Sequence, residues 1–254
     1  MKINVVGVDC ATDPKNVGLA FGTFSEGSTF VKDVRVGSSK SLPADVIAEW
    51  VRDRELPVLI ALDAPLGWPV PLADALYTHL AGAGLSIPAH DLFRRRTDII
   101  VREKIGKQSL DIGADRIART AHAALQLLVD LRERLNEPIP LAWDPRMLEL
   151  GAIEVYPAAT LAAHGIPSRG YKKANMLPER NNIASMVGSL IDIQTSIPEI
   201  AKSSDGLDAV ICLLSAHDFL LGTTIPAPKD APVQREGWIW VLDPTSRPYA
   251  GKDF

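Results

Sequence analysis

The chain has 254 residues, of which 46% are hydrophobic and 23% are charged. This length fits one large domain or two small ones, and the apolar fraction excludes wholesale disorder. The 27 basic and 31 acidic side chains give a net charge of -4. A global electrostatic attraction to nucleic acid or to anionic lipid is therefore excluded, and any contact with nucleic acid must be local.

The apolar runs and the cysteines indicate a cytoplasmic protein. The longest apolar runs, such as residues 58–62, fall far short of the ~20 residues that cross a bilayer. The first apolar stretch already ends at Asp9, so we expect no secretory signal. Cys10 and Cys212 lie far apart without a paired spacing, which argues against a disulfide framework or a thiolate zinc site.

The first quarter of the chain predicts three strands, a helix and a fourth strand. Residues 3–9 form a β-branched run, residues 17–24 alternate with glycines, and residues 29–36 follow a turn-forming segment. Ser41 can cap the helix, which ends before Pro57. Residues 58–62 form the uninterrupted apolar strand that is typical of a strand covered on both faces by helices.

The rest of the chain is mainly helical in pattern. Residues 69–136 repeat leucines at helical spacing, and we expect residues 69–145 to form a helical insertion in a single domain that spans residues 1–254. A short strand is predicted at 152–156, followed by helices, of which the last begins near Ser203. The Trp-Ile-Trp segment at 238–240 is either an edge strand or a packing strap.

This order of elements predicts an α/β fold. Three leading strands pair antiparallel, and the later strands are added to the same sheet in parallel through helical crossovers.

Five acidic residues stand out against this pattern. Asp9 and Asp63 close predicted strands, Glu154 lies inside the predicted strand at 152–156, and Asp205 and Asp208 start the final helix. Ligands collect outside the carboxyl ends of parallel strands, so acids from separate strands can converge there. Converging carboxylates repel one another unless a cation lies between them, and Mg²⁺ or Mn²⁺ suits oxygen ligands. Two such ions can activate water and stabilise the leaving oxygen of a phosphodiester.

Each of these acids also has a structural interpretation. Asp9 and Asp63 could serve turns, and Glu154 could pair with an arginine. Asp205 and Asp208 could cap the final helix, although their spacing also puts both on one face of the helix end. The combination of all five favours a functional site.

Seven sequence blocks resemble those of a known family. The longer blocks are VGVDCA at 6–11, LDAPLG at 62–67, EVYP at 154–157 and DGLDA at 205–209. The shorter ones are RTD at 96–98, GYKK at 170–173 and EGWI at 236–239. Together they resemble domain-of-unknown-function family 429, whose members are described as predicted nucleases of the RNase H-like fold. The final-helix block also resembles Holliday-junction resolvases of the RuvC type, in which such acids bind metal.

The resemblance implies an RNase H-like mixed sheet and a metal-dependent nuclease that acts on DNA or RNA. It makes Asp9 the central metal-bridging carboxylate and Asp63 a second ligand. Asp208, with or without Asp205, completes the site from the final helix. Glu154 departs from the simplest pattern because it comes from a later strand.

Glu154 would be catalytic by binding a second metal ion or by orienting Lys173. Arg94, Arg96 and Lys173 are candidates for contacts with a phosphate backbone. The alternative for these basic residues is a set of salt bridges among helices, or a solvated helix face.

Two other classes of protein stay open. ATP-binding phosphotransferases of the actin and sugar-kinase type also begin with an acid on the first strand. They need glycine-rich phosphate loops, however, whereas Cys-Ala-Thr-Asp-Pro follows Asp9 here. A non-catalytic module would instead bind nucleic acid or a protein through the basic stretch at 94–107, without a need for metal.

Overall fold

The computed structural model describes residues 1–38, 40–52, 55–113 and 115–246. Within them one sheet contains the strands β1 Lys2–Asp9, β2 Gly18–Ser25, β3 Ser28–Val36, β4 Val58–Asp63, β5 Leu150–Glu154 and β6 Asp192–Ile193. The strand order across the sheet is β5-β4-β1-β2-β3-β6.

The pairing directions confirm the predicted mixed sheet. Strands β1, β2 and β3 form an antiparallel meander, and β4 and then β5 are added in parallel on the other side of β1. This is the RNase H-like arrangement that the resemblance implies. The short strand β6 pairs in parallel with β3, in a segment where the sequence predicted only helix.

Helices cover both faces of the sheet and fill the connections. They are α1 Pro43–Val51, α2 Val70–Leu76, α3 Ala89–Phe93, α4 Arg96–Ile105, α5 Asp115–Leu135, α6 Pro157–Ala163, α7 Leu177–Gly188, α8 Ile197–Ala201, α9 Ser204–Leu220 and α10 Val233–Glu236. No helix within the described ranges combines the length and the apolar character of a membrane span.

The helical pattern at 69–136 is divided among α2, α3, α4 and α5, which lie between β4 and β5 in the chain. Residues 77–88 contain no helix, because they are rich in glycine and end at Pro88. Helix α4 ends where Gly106 adopts a left-handed backbone conformation, with φ of 73°. Helix-breaking residues therefore end the helices even where the leucine spacing continues.

The alternation of side chains along β1 separates two cores. Ile3 and Val5 pack on the face that α9 covers, whereas Val6 and Val8 pack on the face that α1 and α5 cover. Because both faces are buried, the strand reads as a continuous apolar run. Helix α9 lies almost entirely inside the protein.

The C-terminal tail packs as a strap with one bridge to the sheet. Trp238 and Trp240 are buried, and Ile239 forms an isolated parallel bridge with Glu154 at the end of β5. The backbone N–H of Trp240 donates to the carbonyl oxygen of Glu154 at 2.9 Å. The tail thus lies beside the outer strand as a packing strap, which is one of the two alternatives that the sequence left open.

Candidate metal centre

Strand pairing brings the first two aspartates together. Asp9 and Asp63 are register partners at the carboxyl ends of the parallel strands β1 and β4. Side chains alternate along a strand, so both point to the face on which Val5 and Leu59 pack against α9. Asp208 in α9 lies opposite them. One carboxylate oxygen from each of the three aspartates lies within 4.8 Å of the others.

Two glycines let α9 lie close enough to the sheet for this contact. A Cβ atom on Gly18 would overlap the carbonyl oxygen of Asp205, and one on Gly7 would overlap that of Ala209. These carbonyls flank Asp208 in the helix. The glycines in the first two strands therefore fix how near Asp208 comes to Asp9.

The start of α9 is capped without the help of Asp208. The hydroxyl oxygen of Ser203 accepts hydrogen bonds from the N–H groups of Asp205 and Gly206, at 3.1 and 3.3 Å. The capping interpretation of Asp208 is therefore wrong, and its carboxylate lies beside those of Asp9 and Asp63 instead.

The three carboxyls are held in an environment that disfavours their charge. Burial raises the pKa of Asp9 well above its ordinary value, and the neighbouring Asp208 and Asp63 raise it further. Burial likewise raises the pKa of Asp63 to about 7. Burial also raises the pKa of Asp208, although Lys172 opposes the change. Such a group of like charges favours the binding of a cation.

Two neighbouring residues occupy the two oxygens of Asp208. The Tyr171 hydroxyl donates to Oδ1 at 2.7 Å, and the Lys172 ammonium forms an ion pair with Oδ2. Burial would lower the pKa of Lys172, but the carboxylates of Asp208, Asp9 and Asp63 raise it on balance. Lys172 was not among the candidates from the sequence, because spacing alone does not show which of Lys172 and Lys173 reaches the aspartates.

Glu154 pairs with an arginine rather than with Lys173. Its carboxylate accepts two hydrogen bonds from the Arg95 guanidinium, at 2.6 and 2.8 Å, and a third from the N–H of Leu66 at 2.9 Å. Burial raises the pKa of Glu154, while Arg95 opposes this. The expectation that Glu154 orients Lys173 is wrong, because its carboxylate accepts from Arg95 and from the N–H of Leu66 instead.

Arg95 is itself almost completely buried, with 1% exposure. It also donates to both oxygens of Asp98 at 3.1 Å and to the carbonyl oxygen of Glu236 at 3.0 Å. The guanidinium therefore ties the start of α4 and the tail to the end of β5. Sequence reasoning chose Arg94 and Arg96 and missed the arginine between them.

The remaining candidates lie around the three aspartates. Asp205 contributes no oxygen to the group within mutual reach in the described ranges, and it accepts a hydrogen bond from the Ser204 hydroxyl at 3.0 Å. Arg94 forms an ion pair with Asp111 at 3.1 Å. The side chains of Arg96 and Lys173 are exposed.

Asp9 and Asp63 open onto a cleft of about 290 Å³. Asp9, Asp63, Glu154 and Lys172 line it, together with Tyr156. This volume is close to the lower end of the range for small-molecule sites.

Comparison with known proteins gives a family. The model of the family described as "Protein of unknown function (DUF429)" matches residues 7–232. No curated protein matches the chain. A solved structure, T. thermophilus RuvC in complex with a Holliday junction substrate, is similar with a TM-score of 0.39 and 12% identity, over 89% of this chain and 99% of that chain. The family match spans most of the chain and includes all three aspartates of the candidate centre, so the chain belongs to the DUF429 family of proteins of unknown function.

Proposed function

We propose that the protein is a divalent-metal-dependent nuclease or phosphodiesterase that hydrolyses phosphodiester bonds of nucleic acid. The observation that carries this proposal is the convergence of Asp9, Asp63 and Asp208, from two strands and a helix, within 4.8 Å of one another, beside a cleft that Asp9 and Asp63 line. Three carboxylate oxygens form a donor set that suits Mg²⁺ or Mn²⁺. The residues present therefore fit such an ion.

The chain's own residues would hold the ion and keep it in place. A bound Mg²⁺ or Mn²⁺ activates water and stabilises the leaving oxygen of a phosphodiester. The β1–β4 register fixes Asp9 beside Asp63, and the Tyr171 hydroxyl fixes one oxygen of Asp208. For the two-ion form, Asp205 is the candidate fourth acid, because its charge raises the pKa of both Asp9 and Asp208.

We propose that nucleic acid contacts the protein locally, beside the cleft. Arg96 and Lys173 are exposed and adjoin Arg95 and Lys172, which line the cleft. We therefore expect both to contact a phosphate near the reacting one. Arg94 would contribute only by exchanging Asp111 for a phosphate. The expected cytoplasmic location stays a prediction.

For Glu154 we propose a positioning role instead of contact with the reacting atoms. Arg95 holds one side of its carboxylate, and the carboxylate in turn accepts from the N–H of Leu66. Leu66 belongs to the loop that directly follows Asp63. Glu154 thus fixes the backbone that carries Asp63 into the cleft.

The test combines metal binding with cleavage. We expect Mn²⁺ to bind the metal-free protein in calorimetry, and we expect Mg²⁺ or Mn²⁺ to support cleavage of at least one member of a panel of single-stranded, duplex and junction DNA and RNA. Asp9→Asn should abolish both signals while the circular dichroism spectrum is retained. Asp230→Asn, at an exposed aspartate outside the site, is the matched control.

Other results would point to the other classes. Undiminished cleavage by the Asp9→Asn variant, or no Mn²⁺ binding by the wild type, would contradict the proposal. Saturable ATP binding in calorimetry would indicate a phosphotransferase instead. Binding of nucleic acid that is indifferent to EDTA and to Asp9 would indicate a non-catalytic module.

A further inference from the structure

We infer that Lys172 is a built-in counter-ion of the three aspartates, which a divalent ion displaces from Asp208 by a movement of the lysine side chain alone. The inference rests on the metal centre proposed above. It assigns to Lys172 a competition with the metal ion, which is a different role from contact with substrate.

The first observation is that both oxygens of Asp208 are engaged. Tyr171 donates to Oδ1, and the Lys172 ammonium pairs with Oδ2. Asp208 is completely buried, so it has little room to turn toward another partner. A divalent ion bound at Oδ2 and the ammonium at the same oxygen would repel each other strongly. One cation therefore replaces the other.

The second observation is that the backbone on both sides of Lys172 is clamped. The Nη1 group of Arg180 donates to the carbonyl oxygens of Tyr171 and Lys173, at 2.9 Å each. The Nε group of the same arginine donates to the carbonyl oxygen of Ala201 at 2.7 Å. Arg180 is buried, with 5% exposure. This arrangement holds the segment in place whether or not Lys172 contacts Asp208.

The third observation is that the Lys172 side chain adjoins solvent, into which it can move. It is 57% exposed although its ammonium reaches a carboxylate with no exposure. Tyr171, in contrast, is buried and stays with the core. The two neighbours thus have different roles. Tyr171 holds Asp208 in place, and Lys172 neutralises the aspartates until a metal ion binds.

The consequence is a preformed site that a cation enters by exchange. A lysine that served only to contact phosphate would leave the affinity for metal unchanged. A lysine that stabilised the bound metal through its position would weaken binding when it is removed. If Lys172 is a counter-ion that competes with the metal, its removal should instead strengthen the binding of metal.

The experiment compares Lys172→Met with Lys173→Met, which makes the same change of charge one residue away on an exposed side chain. Calorimetry with Mn²⁺ on metal-free protein should show about tenfold tighter binding for Lys172→Met and the wild-type affinity for Lys173→Met. In EDTA, Lys172→Met should melt at a lower temperature than Lys173→Met. Saturating Mn²⁺ should remove that difference.

A second measurement uses the wild type and does not depend on the folding of a variant. Reductive methylation followed by mass spectrometry should modify Lys172 slowly in EDTA and several-fold faster with Mn²⁺, while Lys173 reacts at the same rate in both. Failure of the wild type to bind Mn²⁺ would overturn the metal centre itself. Mn²⁺ binding by the wild type with equal affinity in both variants, or with no change in methylation of Lys172, would overturn only the counter-ion.

Discussion

At the scale of single residues, Asp63 couples the stability of the protein to pH. Its pKa in the folded protein is about 7, because burial disfavours the charged form. An aspartate in an unfolded chain titrates near about 4. Between these values the unfolded chain binds fewer protons than the folded one, so the stability of the metal-free protein falls as the pH rises.

We therefore predict that Asp63→Asn stabilises the metal-free protein at pH 8. The free energy of unfolding in EDTA should rise by about 1–3 kcal/mol, and its dependence on pH between about 4 and 7 should flatten. Urea denaturation across this pH range measures both effects. Asp230→Asn should change neither, and a loss of stability in Asp63→Asn at pH 8 would contradict the prediction.

Burying the charge of Asp63 destabilises the folded protein, whereas Arg95 stabilises it, because its guanidinium compensates two buried acids. We predict that Arg95→Met lowers the free energy of unfolding by about 3–5 kcal/mol, since Glu154 and Asp98 would lose their common partner. Adding Glu154→Gln should restore part of this loss, because it removes one uncompensated charge.

Urea denaturation of the two single variants and the double variant tests this coupling. Arg235→Met, which breaks the exposed pair of Arg235 with Asp74, should cost less than about 1 kcal/mol. Strictly additive effects of Arg95→Met and Glu154→Gln would show that the two residues act independently.

The same residues show how far the sequence predicts the site. Asp9 and Asp63 stand out because each follows an apolar run, and that local signal places them at strand ends. Arg95 and Lys172 carry no such signal, because each lies in a run of like residues, Arg94–96 and Lys172–173. Which member turns inward depends on the packing of the whole protein around it.

At the scale of elements, strands and helices with a strong local pattern were predicted well, as for β1, β4 and α9. The two-residue strand β6 escaped prediction because its pairing with β3 is set by the chain around it and not by its own residues. The division of 69–136 into four helices was also missed. Leucines at helical spacing continue there beyond the ends of the helices. The spacing therefore indicates apolar character rather than the length of a helix.

Close packing of α9 on the sheet leads to a prediction at this scale. Gly18→Ala places a methyl group against the carbonyl oxygen of Asp205 and must push the helix away from β2. We expect a loss of about 1–3 kcal/mol in the free energy of unfolding, which is typical of overpacking. We also expect weaker Mn²⁺ binding, because Asp208 moves with the helix relative to Asp9.

Gly84→Ala is the matched control, because a Cβ atom there meets nothing within 4 Å. It should change neither the melting temperature nor the affinity for Mn²⁺ in calorimetry. Unchanged Mn²⁺ binding by Gly18→Ala, together with a wild-type melting temperature, would show that the helix does not set the geometry of the centre.

At the scale of the whole molecule, the sheet is shared by two cores that lie on opposite sides of it. Helix α9 and the tail pack on one face, and α1 and α5 pack on the other. The candidate metal centre lies where β1, β4 and α9 meet, so its geometry depends on the sheet and on one of these layers. Because β1, β2, β4 and β5 contribute side chains to both cores, we propose that the protein unfolds as one cooperative unit.

Trp240→Ala tests that cooperativity from the tail. Trp240 packs edge-on against Phe219 of α9, with ring centroids 4.8 Å apart, on the face of the sheet away from α5. We expect a loss of about 3–5 kcal/mol. If the sheet couples the cores, hydrogen exchange should accelerate at the slowest amides of α5 as much as at those of α9. Tyr77→Ala, at a side chain that is 89% exposed, should alter neither. Acceleration confined to α9 would mean that the two layers open separately, and the metal centre would then unfold without the layer formed by α1 and α5.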